Sequence, residues 1–144
     1  MNKFSKIILI IFGVLIFGFI VFIAIIYSAF NFNDMCGTKL IKTEYSPDKK
    51  SKIIIFSQNC GAISDFSTQI SIVDVDYKLK ENDIGNIFSA DSDHHKAKMN
   101  GEIIELNTKW KNNDTIEIEY AENSRIFKNE KEMNGIIIMY KQNK

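Results

Sequence analysis

The stretch "KIIIFSQNCGAISDFSTQISIVDV", residues Lys52–Val75, decides the fold class. Its first segment, Lys52–Ser57, is apolar on both faces, which is typical of a strand in the middle of a sheet. A loop of small and polar residues around Cys60 separates it from a second segment that alternates inward and outward residues. A change of phase near Val73 predicts a bulge or a strand end there. The inward positions of this second strand are Phe66, Thr68, Ile70 and Ile72.

Strand patterns continue on both sides of this stretch. Pro47, between Ser46 and Asp48, predicts a turn that joins a strand over 40–45 to the strand over 52–57. Downstream, "EIIELNTKW" and "TIEIEY" alternate around a "KNND" turn and predict a β-hairpin, while "GIIIMY" reads as another central strand. We therefore predict an all-β domain, an antiparallel meander of seven or eight strands closed as a small sandwich or a curled sheet, with no helix after Phe30.

The N-terminal segment Ile7–Phe30 predicts a transmembrane helix. It contains no charged residue, and its 24 positions span roughly 36 Å as a helix, enough for a hydrocarbon core of about 30 Å. A cleaved signal peptide is the alternative, but its apolar region is normally shorter and ends in small residues before the cleavage site. We expect an uncleaved anchor.

Charge sets the expected orientation. Lys3 and Lys6 precede the helix, which favours a short cytoplasmic N-terminus over residues 1–6. Residues 7–30 then cross the inner (cytoplasmic) membrane once, and residues 31–144 form an extracytoplasmic domain. That domain has 16 basic and 18 acidic residues, and its near-neutral balance argues against nucleic acid as a partner. The expected partners are the lipid bilayer, through the helix, and an envelope protein or glycan.

Two cysteines, Cys36 and Cys60, lie in the exported part of the chain. In an oxidising compartment such a pair is most economically a disulfide. The alternative is a nucleophilic thiol at Cys60, which would need a base such as His94 or His95 close by.

The loop after Cys60 supplies the candidate binding residues. Their hydroxyl, carboxylate and amide groups could form a rigid polar edge that recognises a peptide or glycan. Alternatively these side chains satisfy backbone groups where the next strand begins. The candidates are Ser64, Asp65, Ser67, Thr68 and Gln69.

A second polar run, "ADSDHHKAK", supplies the candidate metal ligands. Carboxylate and imidazole groups bind zinc and other divalent ions, although an ordinary polar loop has the same composition. The candidates are Asp91, Asp93, His94 and His95. Glu117 and Glu119 share one strand face, where they could act as an acid and base pair or form part of a solvated surface. Motifs of serine hydrolases, phosphate loops and zinc proteases are lacking, so no cofactor is expected.

Three segments together carry a resemblance: "SPDKK", "NCGAISDFSTQ" and "GNIFSAD". The chain resembles a family of short bacterial envelope proteins of unknown function, in which an SPDGK turn, an NCGATTGFSTQ-like segment and a GNxFxAD segment follow a lipoprotein signal or a membrane helix. This chain has Lys49 in place of the glycine of the turn and 63–65 in place of Thr-Thr-Gly. The resemblance implies architecture and location and no particular chemistry.

Three function classes follow from these observations. We expect a membrane-tethered binding or structural module of the cell envelope that is not an enzyme. The alternatives are an inhibitor or immunity-type protein that caps another envelope protein, and a small hydrolase in which His94 or His95 would meet a nucleophile in a pocket.

Overall fold

The computed structural model describes residues 2–29, 36–61 and 65–143 of the chain. These residues form one helix and eleven strands. The chain divides into two compact units, Met1–Asn33 and Asp34–Lys144, which are described separately.

The first unit is a single helix, α1 (Lys3–Ala29). The predicted helix over 7–30 is thus confirmed, with a start four residues earlier; Phe30 lies outside the described residues. Within it, the 26 residues Lys3–Ser28 are long and apolar enough to span a membrane. The uncharged run that begins at Ile7 makes this helix apolar, and the helical conformation pairs the backbone groups of the segment with one another, as a bilayer interior requires.

The second unit confirms the predicted all-β class. Eight strands have four residues or more, and three further strands have only two. The strands are β1 (Gly37–Tyr45), β2 (Ser51–Asn59), β3 (Ser67–Asp74), β4 (Phe88–Asp91), β5 (Met99–Asn100), β6 (Ile103–Ile104), β7 (Leu106–Trp110), β8 (Thr115–Ala121), β9 (Arg125–Asn129), β10 (Glu132–Met133) and β11 (Ile136–Asn143).

Two larger sheets and one small β-ribbon contain these strands. The five-stranded sheet has the order β1-β2-β3-β4-β9, the four-stranded sheet has the order β10-β11-β8-β7, and β5 pairs with β6. One pair departs from the expected antiparallel meander, since β8 and β11 run parallel, with Ile116 opposite Ile138. After β8 the chain crosses to the five-stranded sheet as β9. It then comes back to the four-stranded sheet, where β11 lies beside β8 and runs in the same direction.

The main core lies between the two larger sheets, where inward residues of both sheets pack together. From the five-stranded sheet it takes Ile53, Ile55, Ile70, Ile72, Phe88 and Ala90, and from the four-stranded sheet Ile116, Ile118, Tyr120, Ile136 and Ile138. The hairpin of β7 and β8 and the inward set of β8 agree with the predicted alternation.

Strand β2 is buried on both faces, as predicted. Ile54 and Phe56 point away from the intersheet core and are nevertheless 3% and 0% exposed. The predicted two-sided burial of β11 is wrong. Although β11 lies between β10 and β8, Ile137 and Met139 on its outer face are 52% and 46% exposed, because no described segment covers that side.

The turn and strand-end predictions hold. The Lys49 N–H donates to the Ser46 carbonyl at 2.9 Å across the Pro47 turn. The Ser46 hydroxyl lies 2.7 Å from the Asp48 carboxylate and closes the same turn. Strand β3 ends at Asp74, close to the predicted change of phase.

The segment "GNIFSAD" over 85–91, which ends in β4, is joined to β3 by hydrogen bonds between side-chain amides and backbone groups. The Gly85 N–H donates to Gln69 Oε1 at 2.9 Å. The Asn86 side chain accepts from the Ile72 N–H at 2.9 Å and donates to its carbonyl at 2.8 Å, so an amide takes the place of a strand partner. A Cβ on Gly85 would lie only 2.2 Å from the Phe88 carbonyl oxygen. Glycine is therefore required there by space.

The first prediction concerns this close approach. We expect Gly85→Ala to lower the free energy of unfolding by roughly 2–3 kcal/mol, because the added methyl overlaps backbone that cannot move without breaking the ladder. Urea unfolding followed by the fluorescence of Trp110 would measure the change. Gly37→Ala is the matched control, since a Cβ there meets no atom within 4 Å; equal losses in the two variants would refute the steric argument.

The predicted disulfide is present between Cys36 and Cys60, whose Cα atoms are 3.9 Å apart. Gly37 pairs with Asn59, so the two cysteines occupy the next opposing positions beyond the β1–β2 ladder. The bond fastens the open end of this hairpin and closes a loop whose ends are 24 residues apart in sequence.

The second prediction follows from this loop. We expect the double variant Cys36→Ser/Cys60→Ser to lose about 3–4 kcal/mol of unfolding free energy, because the unfolded chain regains the entropy of an open loop. Denaturant unfolding with and without reductant would measure it. The reductant should destabilise the native protein by a similar amount and leave the double variant unchanged; an effect on the variant would contradict the assignment to this bond.

Candidate functional site

The residues singled out from the sequence meet at a hollow beside the disulfide, which we call the cystine hollow. It has a volume of about 280 Å³. Two binding candidates, Asp65 and Ser67, and two metal candidates, Asp91 and His94, lie on its wall. The full lining is Gln58, Cys60, Asp65, Ser67, Asp91, His94, Arg125 and Phe127.

Asp65 fixes the shape of the hollow. Its Oδ2 atom accepts a hydrogen bond from the Ser92 hydroxyl at 3.1 Å and another from the His94 N–H at 2.8 Å. These bonds, the His94 N–H first, hold the pKa of the Asp65 carboxyl below its usual value. They hold a turn in which Asp93, His94 and His95 have φ values of 47°, 59° and 67°. This left-handed conformation is unfavourable for residues other than glycine, so the turn depends on acceptors such as the Asp65 carboxylate.

The other binding candidates serve the fold. Thr68 is fully buried, and its hydroxyl accepts from the Ile104 N–H at 2.9 Å. The Gln69 amide donates to the Ser67 hydroxyl at 2.9 Å and is also buried. These contacts match the alternative reading, in which the polar side chains satisfy groups at the start of a strand. Thr68 and Gln69 are therefore not exposed for a ligand, and Ser64 lies outside the described residues.

The predicted metal site is not formed by the described residues, among which no group of three or more His, Cys, Asp or Glu side chains is placed to hold an ion. Asp91 is 4% exposed and binds the Arg125 guanidinium through both carboxylate oxygens. Asp93 binds Lys96 at 2.6 Å. Cationic side chains thus occupy the carboxylates that an ion would need. Arg125 also lies 5.3 Å over the Phe127 ring.

The nucleophilic reading of Cys60 is wrong, because its sulfur is bonded to Cys36. His94 and His95 are exposed. The groups that line the cystine hollow thus mainly pair with one another, and their arrangement resembles a structural link more than a catalytic site.

A larger hollow lies on the outer face of the five-stranded sheet and was not foreseen from the sequence. We call it the edge groove, because it adjoins β1, the strand at the end of that sheet. Its volume is about 440 Å³. It is lined by Thr38, Leu40, Thr43, Lys52, Ile54, Tyr77, Lys78 and Leu79.

The loop after β3 forms the far wall of the edge groove. The Lys52 ammonium donates to the Tyr77 carbonyl at 2.7 Å, which ties the loop to β2. The Tyr77 hydroxyl donates to the Asp83 carboxylate at 2.7 Å, and this bond raises the pKa of Tyr77. The Lys80 N–H donates to the same carboxylate at 2.8 Å. The wall is therefore held in place before any ligand arrives.

Two sequence signals could have indicated the edge groove. The run "YKLKEN" reads as a solvated turn of mixed charge, yet Tyr77 and Leu79 in it are only partly exposed and line the groove. Leu40 and Ile41 are adjacent apolar residues in β1, so one of them must face outward unless the strand is covered on both sides. In the structure they are 50% and 40% exposed.

Fold and site together define a class: an all-β domain closed by one disulfide, which follows a single apolar helix. The chain belongs to the family of unknown function DUF5412, whose profile matches residues 3–141. No curated protein and no solved structure matches it. The family match covers the helix and nearly the whole domain, in agreement with a resemblance to an uncharacterised family.

The paired glutamates of β8 lie on the outer face of the four-stranded sheet. Glu117 binds Lys111 at 2.8 Å and Lys141 at 2.6 Å. Hydrogen bonds from these two ammonium groups lower the pKa of Glu117 to about 2. A carboxyl that stays ionised at neutral pH between two cations is suited to joining strands and unsuited to general-acid chemistry.

The third prediction uses this lowered pKa. Glu117 stabilises the folded state fully above its ordinary pKa of 4.5, and that contribution is lost as the pH falls toward about 2. We expect Glu117→Gln to lower the unfolding midpoint at pH 7 and to flatten its decline between pH 4.5 and 2. Thermal unfolding followed by circular dichroism across this range would test it, with the neighbouring Glu119→Gln as control. An unchanged acid slope in Glu117→Gln would contradict the assignment.

Proposed function

We propose that this protein is a single-pass protein of the inner (cytoplasmic) membrane whose disulfide-bonded β domain lies outside the cytoplasm and binds a partner in the cell envelope. The observation that carries the proposal is the combination of a 26-residue apolar helix with a disulfide in the domain that follows it. A helix of this kind favours a bilayer, and a stable structural disulfide favours an oxidising compartment.

The charges around the helix support the orientation. Lys3 and Lys6 precede the apolar run, and positively charged flanks favour the cytoplasmic side. With residues 1–6 in the cytoplasm, the chain from residue 31 onward lies in the space where Cys36 and Cys60 can stay oxidised. The two lines of argument, charge and redox chemistry, therefore give the same orientation.

The surface of the domain supports a binding role. The edge groove is a preformed, partly apolar hollow beside β1, which pairs with β2 alone among the described strands. Strand edges that lack a partner bind extended segments of other proteins. The near-neutral net charge argues against nucleic acid as that partner. An envelope protein fits this surface best.

The fourth prediction tests the location. We expect alkaline phosphatase fused after Lys144 to be active in intact cells and a fluorescent protein that requires the cytoplasm to be dark at the same position. The phosphatase fusion that lacks residues 2–29 is the control and should be inactive. Phosphatase activity that does not depend on the helix, or fluorescence of the full-length fusion, would contradict the orientation.

Thiol labelling in the same cells provides an independent measurement. A membrane-impermeant maleimide should label the protein only after reduction, because Cys36 and Cys60 are bonded to each other. Labelling before reduction would show that the compartment does not keep this bond oxidised.

A further inference from the structure

The edge strand β1 combines an open backbone edge with exposed apolar side chains. Among the described strands only β2 pairs with it, so the nine residues Gly37–Tyr45 present an unpaired row of backbone donors and acceptors on the other side. Leu40, Ile41 and Tyr45 are 50%, 40% and 54% exposed. Both the main-chain groups and the side chains of an added strand would therefore find partners there.

The edge groove lies directly beside this strand. Thr38, Leu40 and Thr43 of β1 form one wall, and Tyr77 and Leu79 form part of the opposite wall. In strand addition, alternate side chains of the incoming segment point to the same face of the sheet. One set of these side chains would reach the groove beside Leu40, which gives the surface a means of selecting apolar residues.

Charge at this edge differs in sign from the rest of the domain. The hairpin from Gly37 to Asn59 contains five lysines and only two carboxylates, whereas residues 60–143 contain ten basic and fifteen acidic residues. Lys52 and Lys78 line the groove, and no carboxylate does. An acidic segment is therefore attracted to this edge and a basic one repelled.

The same features disfavour a second copy of this chain as the occupant. The hairpin that contains this edge has five lysines and two carboxylates, so two copies would repel each other there. Antiparallel pairing of two β1 strands would also bring Lys39 and Lys42 of both copies to one seam. Lysines of this kind protect edge strands from pairing with themselves.

We propose that the edge groove binds an acidic, extended segment of an envelope protein, which adds to β1 as a sixth strand and places alternate apolar side chains beside Leu40. The inference rests on the proposed function in that it names the partner chemistry of the binding domain. The affinity would come from main-chain hydrogen bonds and one buried row of side chains. The preference for acidic sequences would come from Lys39 and Lys42, which lie on the face of β1 opposite the groove, where the acidic side chains would point.

The experiment uses the full chain in nanodiscs of phosphatidylcholine and two pools of labelled ten-residue peptides. In one pool glutamate alternates with valine, leucine or threonine; in the other, lysine replaces glutamate. Fluorescence anisotropy should show binding of the acidic pool, with the basic pool at least about tenfold weaker. Binding should weaken as salt rises.

Matched variants locate the site. Leu40→Ser should weaken binding of the acidic pool about tenfold, whereas Ile137→Ser, which removes an equally exposed apolar residue from the other sheet, should leave it unchanged. Lys42→Glu, on the face of β1 opposite the groove, where the glutamates of the acidic pool would lie, should weaken binding. Lys131→Glu, the same charge change on an exposed residue away from β1, should not. Equal effects within either pair would overturn the proposal.

Hydrogen exchange distinguishes strand addition from other modes of binding. The amides of residues 37–45 should exchange more slowly when the acidic pool is present, whereas the exchange rates of the β11 amides should not change. Unchanged exchange in β1, equal binding of the two pools, or self-association that Leu40→Ser abolishes without any peptide binding would each overturn the inference. The reporter fusions and thiol labelling do not involve this groove, so their outcome judges the proposed location separately.

Discussion

The fold depends on burying strand β2 on both faces. Ile53 and Ile55 face the intersheet core, while Ile54 and Phe56 face the other way, and all four are almost completely buried. Burial of a side chain of this size stabilises the folded state by roughly 1.5–3 kcal/mol. A strand with this sequence must therefore be covered on both faces, and two different kinds of structure cover the two faces.

The inner cover is the second sheet, and the outer cover is an irregular loop. Lys52 and Gln58, at the two ends of the outward face of β2, bind the carbonyls of Tyr77 and Asp83. The loop between those two carbonyls thus lies across Ile54 and Phe56. Beside this loop, Leu40 and Ile41 of β1 remain exposed, and among the described strands only β2 pairs with β1, so the sheet has an open edge with a hollow beside it. The proposed binding surface is in this sense a consequence of how β2 is covered.

The polar residues around the disulfide have a related task. A loop and a left-handed turn cannot satisfy their own backbone groups in the way a ladder does, so side chains supply the missing partners. Asp65, Thr68, Gln69 and Asn86 each accept a hydrogen bond from a backbone N–H. Residues that look like a ligand site in the sequence are thus occupied by the protein itself. The disulfide adds a covalent fastening at the same end of the domain.

The sequence alone determined the helix, the all-β class, the β7–β8 hairpin, the Pro47 turn and the pairing of Cys36 with Cys60. Each depends on local periodicity, on apolar length or on there being only two cysteines, and none needs a distant contact. Tertiary structure decided the parallel pairing of β8 with β11, the exposure of Ile137, the occupation of Asp91 by Arg125 and the edge groove. These features depend on which segments meet across the fold, and a pattern along one strand carries no information about what covers its second face.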